Sequence, residues 1–529
     1  MLIRSFIFEI TMIDVDMLIV NGKIATMDKK NPKIEAIAIH NGKILAVGNT
    51  KEIKDNYSSK EVIDLQGKFM CPGFYDAHTH LIAVGAKLVN IQLQDVKSPK
   101  EALELIKERV AKTKKGEWVF GNGWDETNWD DKRYLTFEEL DVIAPNNPCY
   151  ITRVCGHLAA INTLALKELK ISFDDPDLDL NPKTKKPLGV LTHKILDRIS
   201  DSEKLGTTQK AFNESIKIAC EFANSLGITS VTDNLPIKGV KAYIKGKKNG
   251  KLTVRVNMNI PRFTFQNYLE THFETGFGDD ILKLGGVKIF TDGSLGARTA
   301  KLAEPYYDNP TAQGMHYIED QELADTIKLA VENDWQTAIH AIGDVSIDLI
   351  LKSFEVLNKP ELVRKGRHRI EHAEYLLDDH IKRANELGII LSMQPNFPGR
   401  WGKPGQLYEI RLGPERYKLL NNFRKILDSG AKVAFGSDGM PMDPLFGIWS
   451  VAAHPIDAIK ITAEEAMYHY TLGAAYSSFE EDVKGSIQVG KVADLVVLDN
   501  DILAINPEKI KDTKVVMTIF DGKIVYQIK

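Results

Sequence analysis

GFYDAHTHL, residues 73–81, sets the reading of the chain. It puts His78 and His80 two apart at the end of an apolar run. Side chains two apart in an extended strand point the same way, so both imidazoles can reach one ion. A bare His-x-His pair is weak, because two polar loop residues give the same letters. Four later segments change the balance. They carry Lys288 in GGVKIFTDGSLG (285–296), His340 in AIHAIGD (338–344), His372 in RIEHAE (369–374) and Asp438 in FGSDGMP (435–441). Imidazole is the commonest ligand for zinc and similar ions. A lone histidine there is more often a satisfied core residue; two at successive strand ends, downstream of His-x-His, favour ligation. Asp438 suits a metal ligand that also accepts a proton from water; a helix N-cap is the competing role, and the ligand is favoured.

The middle of the chain alternates strand-like and helix-like stretches, which argues for a parallel α/β architecture. Eight strand candidates cover residues 69–76, 227–233, 252–260, 283–290, 335–340, 367–372, 388–394 and 432–437. Eight such strands predict a (β/α)8 TIM-type barrel, and the five segments fall at strand ends, where barrel active sites lie. Residues 14–67 and the tail read as short strands with tight turns. Asn21-Gly22, Asn41-Gly42 and Asp521-Gly522 are hairpin signals. The expected organisation is a small β-sandwich domain formed from both chain termini (1–68 and 481–529) around a barrel at 69–480. An insertion subdomain follows barrel strand 1, at about 82–225, because that interval is too long for a simple crossover.

Bulk properties exclude several classes. A chain of 529 residues is too long for one compact core. A net charge of −4 gives no electrostatic footprint for nucleic acid or an anionic membrane surface. No apolar run is long enough to span a bilayer. The four cysteines Cys71, Cys149, Cys155 and Cys220 form no Cys-x-x-Cys pair, which suits a reducing cytoplasm. The apolar N-terminus is interrupted by Glu9, Asp14 and Asp16, so it reads as the start of a strand-rich domain. Met1, Met12 and Met17 stay open as starts. A homodimer is the default assembly.

Lys288 is the sharpest clue. In VKIFTDG it alternates inward with Phe290 and Asp292. A lysine inside a barrel needs a partner or a shifted pKa. Two readings follow: a buried Lys288–Asp292 ion pair, or a neutral lysine that has captured carbon dioxide as a carbamate.

The order His-x-His, Lys, His, His, Asp on a barrel resembles the amidohydrolase superfamily. The wording is closer to its family 3 branch, which includes N-substituted formamide deformylase-like proteins. The matching segments are LIVNGKIATMD, GFYDAHTHL, GNGWDETNW, RVCGHLAAIN, VKIFTDGSLGARTA, AIHAIGD, HRIEHAE, SMQPNF, FGSDGMP and VGKVADLVVLD. The resemblance implies His78, His80, His340, His372 and Asp438 as metal ligands, with Lys288 as a carbamate bridge. It implies two zinc ions, with manganese, iron or cobalt as alternatives. Trp124, Asp125, His157, Asp292 and Arg298 fall in family segments that line a substrate cleft. Core packing is the competing reading for Trp124, and a loop-anchoring hydrogen bond for His157. In GVLTHKI relatives usually carry a glutamate where this chain has His193, which leaves His193 itself as a candidate cleft residue.

The implied activity is hydrolysis of a carbon–nitrogen bond in a small-molecule amide, linear or N-substituted. Asp438 would shuttle the proton, and His157 or a nearby donor would stabilise the oxyanion. The alternatives are a cyclic-amide hydrolase or mononuclear deaminase on the same barrel, a non-catalytic scaffold, and metal sensing without turnover. Lys288 argues against the deaminase, and the full ligand set argues against the scaffold.

Overall fold

The computed structural model describes residues 12–126, 129–153, 158–178, 189–191, 193–199, 209–236 and 238–528. Contact density divides the chain into two compact units. Residues 1–81 and 220–529 form one, and residues 82–219 form the other.

The first unit contains an eight-stranded sheet in sequential order. Its strands are β1 (Phe74–Thr79), β2 (Ile228–Asn234), β3 (Arg255–Pro261), β4 (Leu282–Phe290), β5 (Thr337–Ala341), β6 (Arg369–His372), β7 (Ile390–Met393) and β8 (Val433–Phe435). Every paired neighbour runs parallel. The last strand returns to the first: the N–H groups of Ser437 and Asp438 both donate to the His78 carbonyl, at 3.1 and 2.7 Å. The fold is a TIM-type barrel. Its strands read as continuous buried runs because helices cover their outer faces. Asp320–Glu332, Asp344–Glu355 and Asp378–Leu387 are three of those helices, each with an acidic first turn that suits the helix dipole.

Two further sheets lie outside the barrel, and the second of them joins the two ends of the chain. One pairs 43–48, 36–40, 17–20 and 62–64; the other pairs 523–527, 515–520, 495–498, 69–72, 23–25 and 33–34. They share one apolar cluster that includes Ile19, Ile37, Met70, Leu495 and Ile519. Arg255 on β3 ties this module to the barrel. Its guanidinium is 2% exposed and holds Asp494 at 2.7 and 3.0 Å and Asp521 at 3.0 Å.

Two expectations are corrected here. The candidate strand 69–76 is two strands, broken at Gly73. Gly73 donates to Asp494 O, and any side chain on it would collide with Thr229. Asn41-Gly42 and Asp521-Gly522 do turn antiparallel hairpins, with positive φ throughout. Asn21-Gly22 does not: it carries the chain from one terminal sheet to the other. The same dipeptide serves both, since strand alternation does not say which neighbour a strand will pair with.

The second unit has its own five-stranded sheet, ordered 91–92, 119–124, 149–153, 159–161 and 190–191. Trp124, Trp129, Leu140 and Ile151 form its core. Among the described residues no helix is long and apolar enough to cross a membrane.

Candidate metal centre

The six residues marked by the sequence as ligands converge at the C-terminal ends of β1, β4, β5, β6 and β8. Asp438 Oδ1 lies 3.2 Å from His80 Nε2 and 3.6 Å from His78 Nε2. Lys288 Nζ lies 3.5 Å from His78 Nε2. The His372 ring is centred 4.7 Å from His78 and 4.4 Å from His340. Ligand atoms of His78, His372 and Asp438 all fall within 4.8 Å of one another.

The outward nitrogen of each imidazole is occupied. His78 Nδ1 is 2.5 Å from Glu371 Oε2, and His372 Nδ1 is 2.7 Å from Gln394 Oε1. His80 Nδ1 donates to Asn234 O at 3.2 Å, and His340 Nε2 donates to Gly293 O at 3.0 Å. Apart from His80, whose Nε2 also meets the Asp438 carboxylate at 3.2 Å, a ring that carries its proton on that side offers a lone pair on the other. That is the tautomer a metal ligand needs, and such outer partners normally fix ligating histidines. The donor set fits a divalent ion of the zinc type: four imidazoles and a carboxylate.

Electrostatics agree for three of the rings; burial would lower His80 too, but the hydrogen bond to Asp438 and the charges of Asp438 and Asp233 outweigh it and hold His80 above its ordinary value. Burial, and then the Lys288 charge, pull the His78 imidazole down to about 4; burial likewise takes His340 to about 3 and His372 well below the usual range. These rings are neutral at pH 7, as ligands must be. Burial alone would raise the Asp438 carboxyl, but the hydrogen bond from His80 and the charges of His78, His80 and Lys288 hold it below its ordinary range. Burial lowers Lys288 to about 8, against the opposing pull of Glu371 and Asp438.

Two of the candidate ligands sit in left-handed backbone: His372 at φ 72° and Asp438 at φ 54°. A bulky residue there costs about 1–3 kcal/mol and persists only where its surroundings hold it. Gln394 holds the His372 side chain. Around Asp438, Asp76 accepts the Ser437 N–H at 2.8 Å and also its hydroxyl, while His78 O takes the Asp438 N–H.

The amidohydrolase family model matches residues 61–526. The chain belongs to the amidohydrolase family. This amidohydrolase is 32% identical to a putative amidohydrolase, YtcJ, of Bacillus subtilis, over 96% of this chain and 98% of that protein. It is 26% identical to the N-substituted formamide deformylase of Arthrobacter pascens, over 97% of this chain and 98% of that enzyme. A solved structure of an uncharacterized metal-dependent hydrolase from Pyrococcus furiosus is 31% identical and superposes with a TM-score of 0.77. It covers 92% of this chain and 99% of that one. This amidohydrolase is accordingly a metal-dependent hydrolase of carbon–nitrogen bonds.

The residues expected at the substrate are placed differently. No Lys288–Asp292 ion pair forms. Asp292 is fully buried and accepts backbone N–H groups of Ile342, Gly343 and Lys301 at 2.9–3.0 Å, bracing the ends of β4 and β5 behind His340. Its Oδ1 also lies 3.6 Å from His340 Nε2, so these contacts brace the candidate ligand. Arg298 is held by Asp308 through two hydrogen bonds, at 3.0 and 2.8 Å. Trp124 is a core residue of the second unit, fully buried with its indole N–H on Ile151 O at 2.9 Å. Asp125 accepts from Arg153 at 3.0 Å. His193 opens the helix His193–Ile199; its side chain, and all of His157, lie outside the described residues.

Sequence reading missed the groups behind the ligands: Glu371, Arg369, Gln394 and Asp76. One signal was available. Arg369 and Glu371 alternate around Ile370 on a buried strand that ends in His372, and two opposite charges placed so suit a buried pair facing something polar. They pair at 2.8 Å with both side chains fully buried.

Proposed function

We propose that this amidohydrolase hydrolyses a linear or N-substituted amide with divalent metal held by His78, His80, His340, His372 and Asp438. The observation that carries the reading is the group of four imidazoles, each hydrogen-bonded on its outer nitrogen, with the inner nitrogens of His78 and His80 turned toward Asp438 at 3.6 and 3.2 Å. The formamide deformylase relative supports the amide class. A bound cation supplies Lewis acidity toward a carbonyl oxygen and lowers the pKa of water toward neutral. Asp438 is the proton carrier: ionised at neutral pH, a carboxylate oxygen takes the proton of the attacking water and returns it to the departing amine nitrogen. His157, in the segment RVCGHLAAIN, is the proposed donor to the developing oxyanion.

Lys288 is proposed as a carbamate, which would supply an anionic oxygen donor to the metal site. Its neutral amine adds carbon dioxide, forming one N–C bond and releasing one proton, and the product is a carboxylate-like anion. Its full burial beside His78 supports this role. In the same reading the two terminal sheets are one β-sandwich, and the unit at 82–219 is an insertion in the barrel. A second reading, a single-ion enzyme, is favoured by the convergence of His78, His372 and Asp438 alone to within 4.8 Å.

The test is metal content by mass spectrometry on wild type and Lys288→Ala, followed by an amide panel. Two metals per chain, falling to one or none in the variant, support the carbamate. One metal in both proteins assigns Lys288 a packing role and selects the single-ion reading.

A further inference from the structure

The lip of the metal centre carries an aromatic side chain that the fold does not bury. Phe290 ends β4, two residues beyond Lys288 and on the same side of the strand. Its strand neighbour Ile289 is fully buried, yet Phe290 is 48% exposed. Single exposed hydrophobics are common on protein surfaces and need no explanation. Phe290 differs in what it touches. Its ring is centred 5.3 Å from the His340 ring and 4.8 Å from Lys288 Nζ. One part of the ring thus rests on the metal centre, and the rest is left open beside it.

Two more apolar side chains stand exposed on the segments that follow ligand-bearing strands. Tyr317, 52% exposed, is fixed by its N–H on Thr291 O, the residue after Phe290. Met440, 37% exposed, lies two residues beyond Asp438, with its N–H on Ser437 O. Small-molecule sites combine such apolar surfaces with a few fixed polar groups, and a rigid aromatic face contributes contact area at little entropic cost.

We infer that Phe290 is a specificity-determining residue: its open face receives a flat apolar group carried next to the scissile carbon–nitrogen bond. The substrate class is then an amide bearing an aromatic or similarly planar substituent, rather than a short alkyl or charged one. This deepens the amide-hydrolase reading and rests on it.

The experiment uses metal-loaded enzyme and two probes with the same tetrahedral anionic head, benzylphosphonate and methylphosphonate, with binding measured by calorimetry. Wild type should bind the benzyl probe at least tenfold more tightly. Phe290→Ala should bring the ratio close to one, and Phe290→Tyr, which keeps the flat ring, should preserve it. Because Phe290 is half exposed, its removal leaves the core intact, and circular dichroism confirms the fold. No preference in wild type, or an unchanged ratio in Phe290→Ala, overturns the inference. Hydrolysis of an amide panel is scored separately. A Phe290-dependent ratio without any amide cleavage sinks the amide reading and keeps the apolar lip; cleavage without the ratio does the reverse.

Discussion

Removing the Glu371 carboxylate should weaken metal binding without touching a ligand. Glu371 reaches across the barrel from β6 to His78 on β1, 2.5 Å from Nδ1, with both side chains at most 1% exposed. Arg369 braces Glu371 at 2.8 Å and donates as well to Ala77 O at 2.6 Å and Ser392 Oγ at 3.0 Å. Losing the partner that orients a ligating histidine typically costs roughly 10–100-fold in metal affinity. That range corresponds to about 1.4–2.7 kcal/mol. Leaving the fully buried Arg369 without its anion should cost about 3–5 kcal/mol of stability as well. Two substitutions separate the effects. Glu371→Gln keeps an acceptor oxygen for the His78 Nδ1 proton and loses the charge, so its affinity should fall near the tenfold end. Glu371→Leu loses both and should fall near the hundredfold end. The assay is competition of metal-free protein against a chromophoric chelator, with thermal unfolding of the same samples. A folded Glu371→Leu protein that binds metal as wild type does would refute the claim that Glu371 sets the ligand.

Asp438→Asn should abolish amide turnover while most of the metal is retained; normal turnover in that variant removes Asp438 as proton carrier. Burial depresses His368 from 6.5 to about 3. The unfolded chain therefore binds a proton that the folded one refuses between those values. The His368 contribution to stability is complete above pH 6.5 and falls as pH drops, by at most about 1.4 kcal/mol per pH unit. The stability gap between wild type and His368→Gln, measured by urea unfolding, should widen from pH 4 to 6.5; a gap that is flat with pH contradicts the assignment. Arg255→Met strands Asp494 beneath the barrel and should destabilise by about 3–5 kcal/mol. Adding Asp494→Leu should restore part of that loss, and strict additivity of the two changes would show that the pair is not coupled.

The barrel and its ligand-bearing ends were legible because a parallel sheet leaves long apolar runs, each closed by a polar residue at the working face. The weakest boundary was at 69–76, where apolar letters continue through Gly73 while the chain passes from one sheet to another. Nothing in side-chain alternation marks that change; the close approach of Thr229 does, and it is a tertiary fact. The candidate ligands could be picked out because each is a polar residue in a place that otherwise demands an apolar one. The candidate substrate residues carried no such signal. Asp292 and Trp124 share motifs with the site, but a motif does not say whether a carboxylate faces a ligand or three backbone N–H groups. Glu371 was missed for the opposite reason: it stands next to a ligand and was read as its flank.

The seam between β1 and β8 has a consequence for how the protein is made. Asp76 and Ser437, which meet there, are 361 residues apart in the chain. On the ribosome, His78 and His80 emerge long before any of the other candidate ligands. A nascent chain thus offers an ion two imidazoles and little else, too poor a grip to nucleate folding. Pairings between such distant segments also make for slow folding. The ion should therefore enter a barrel that is already shut, and metal uptake becomes a report that synthesis and folding have both finished.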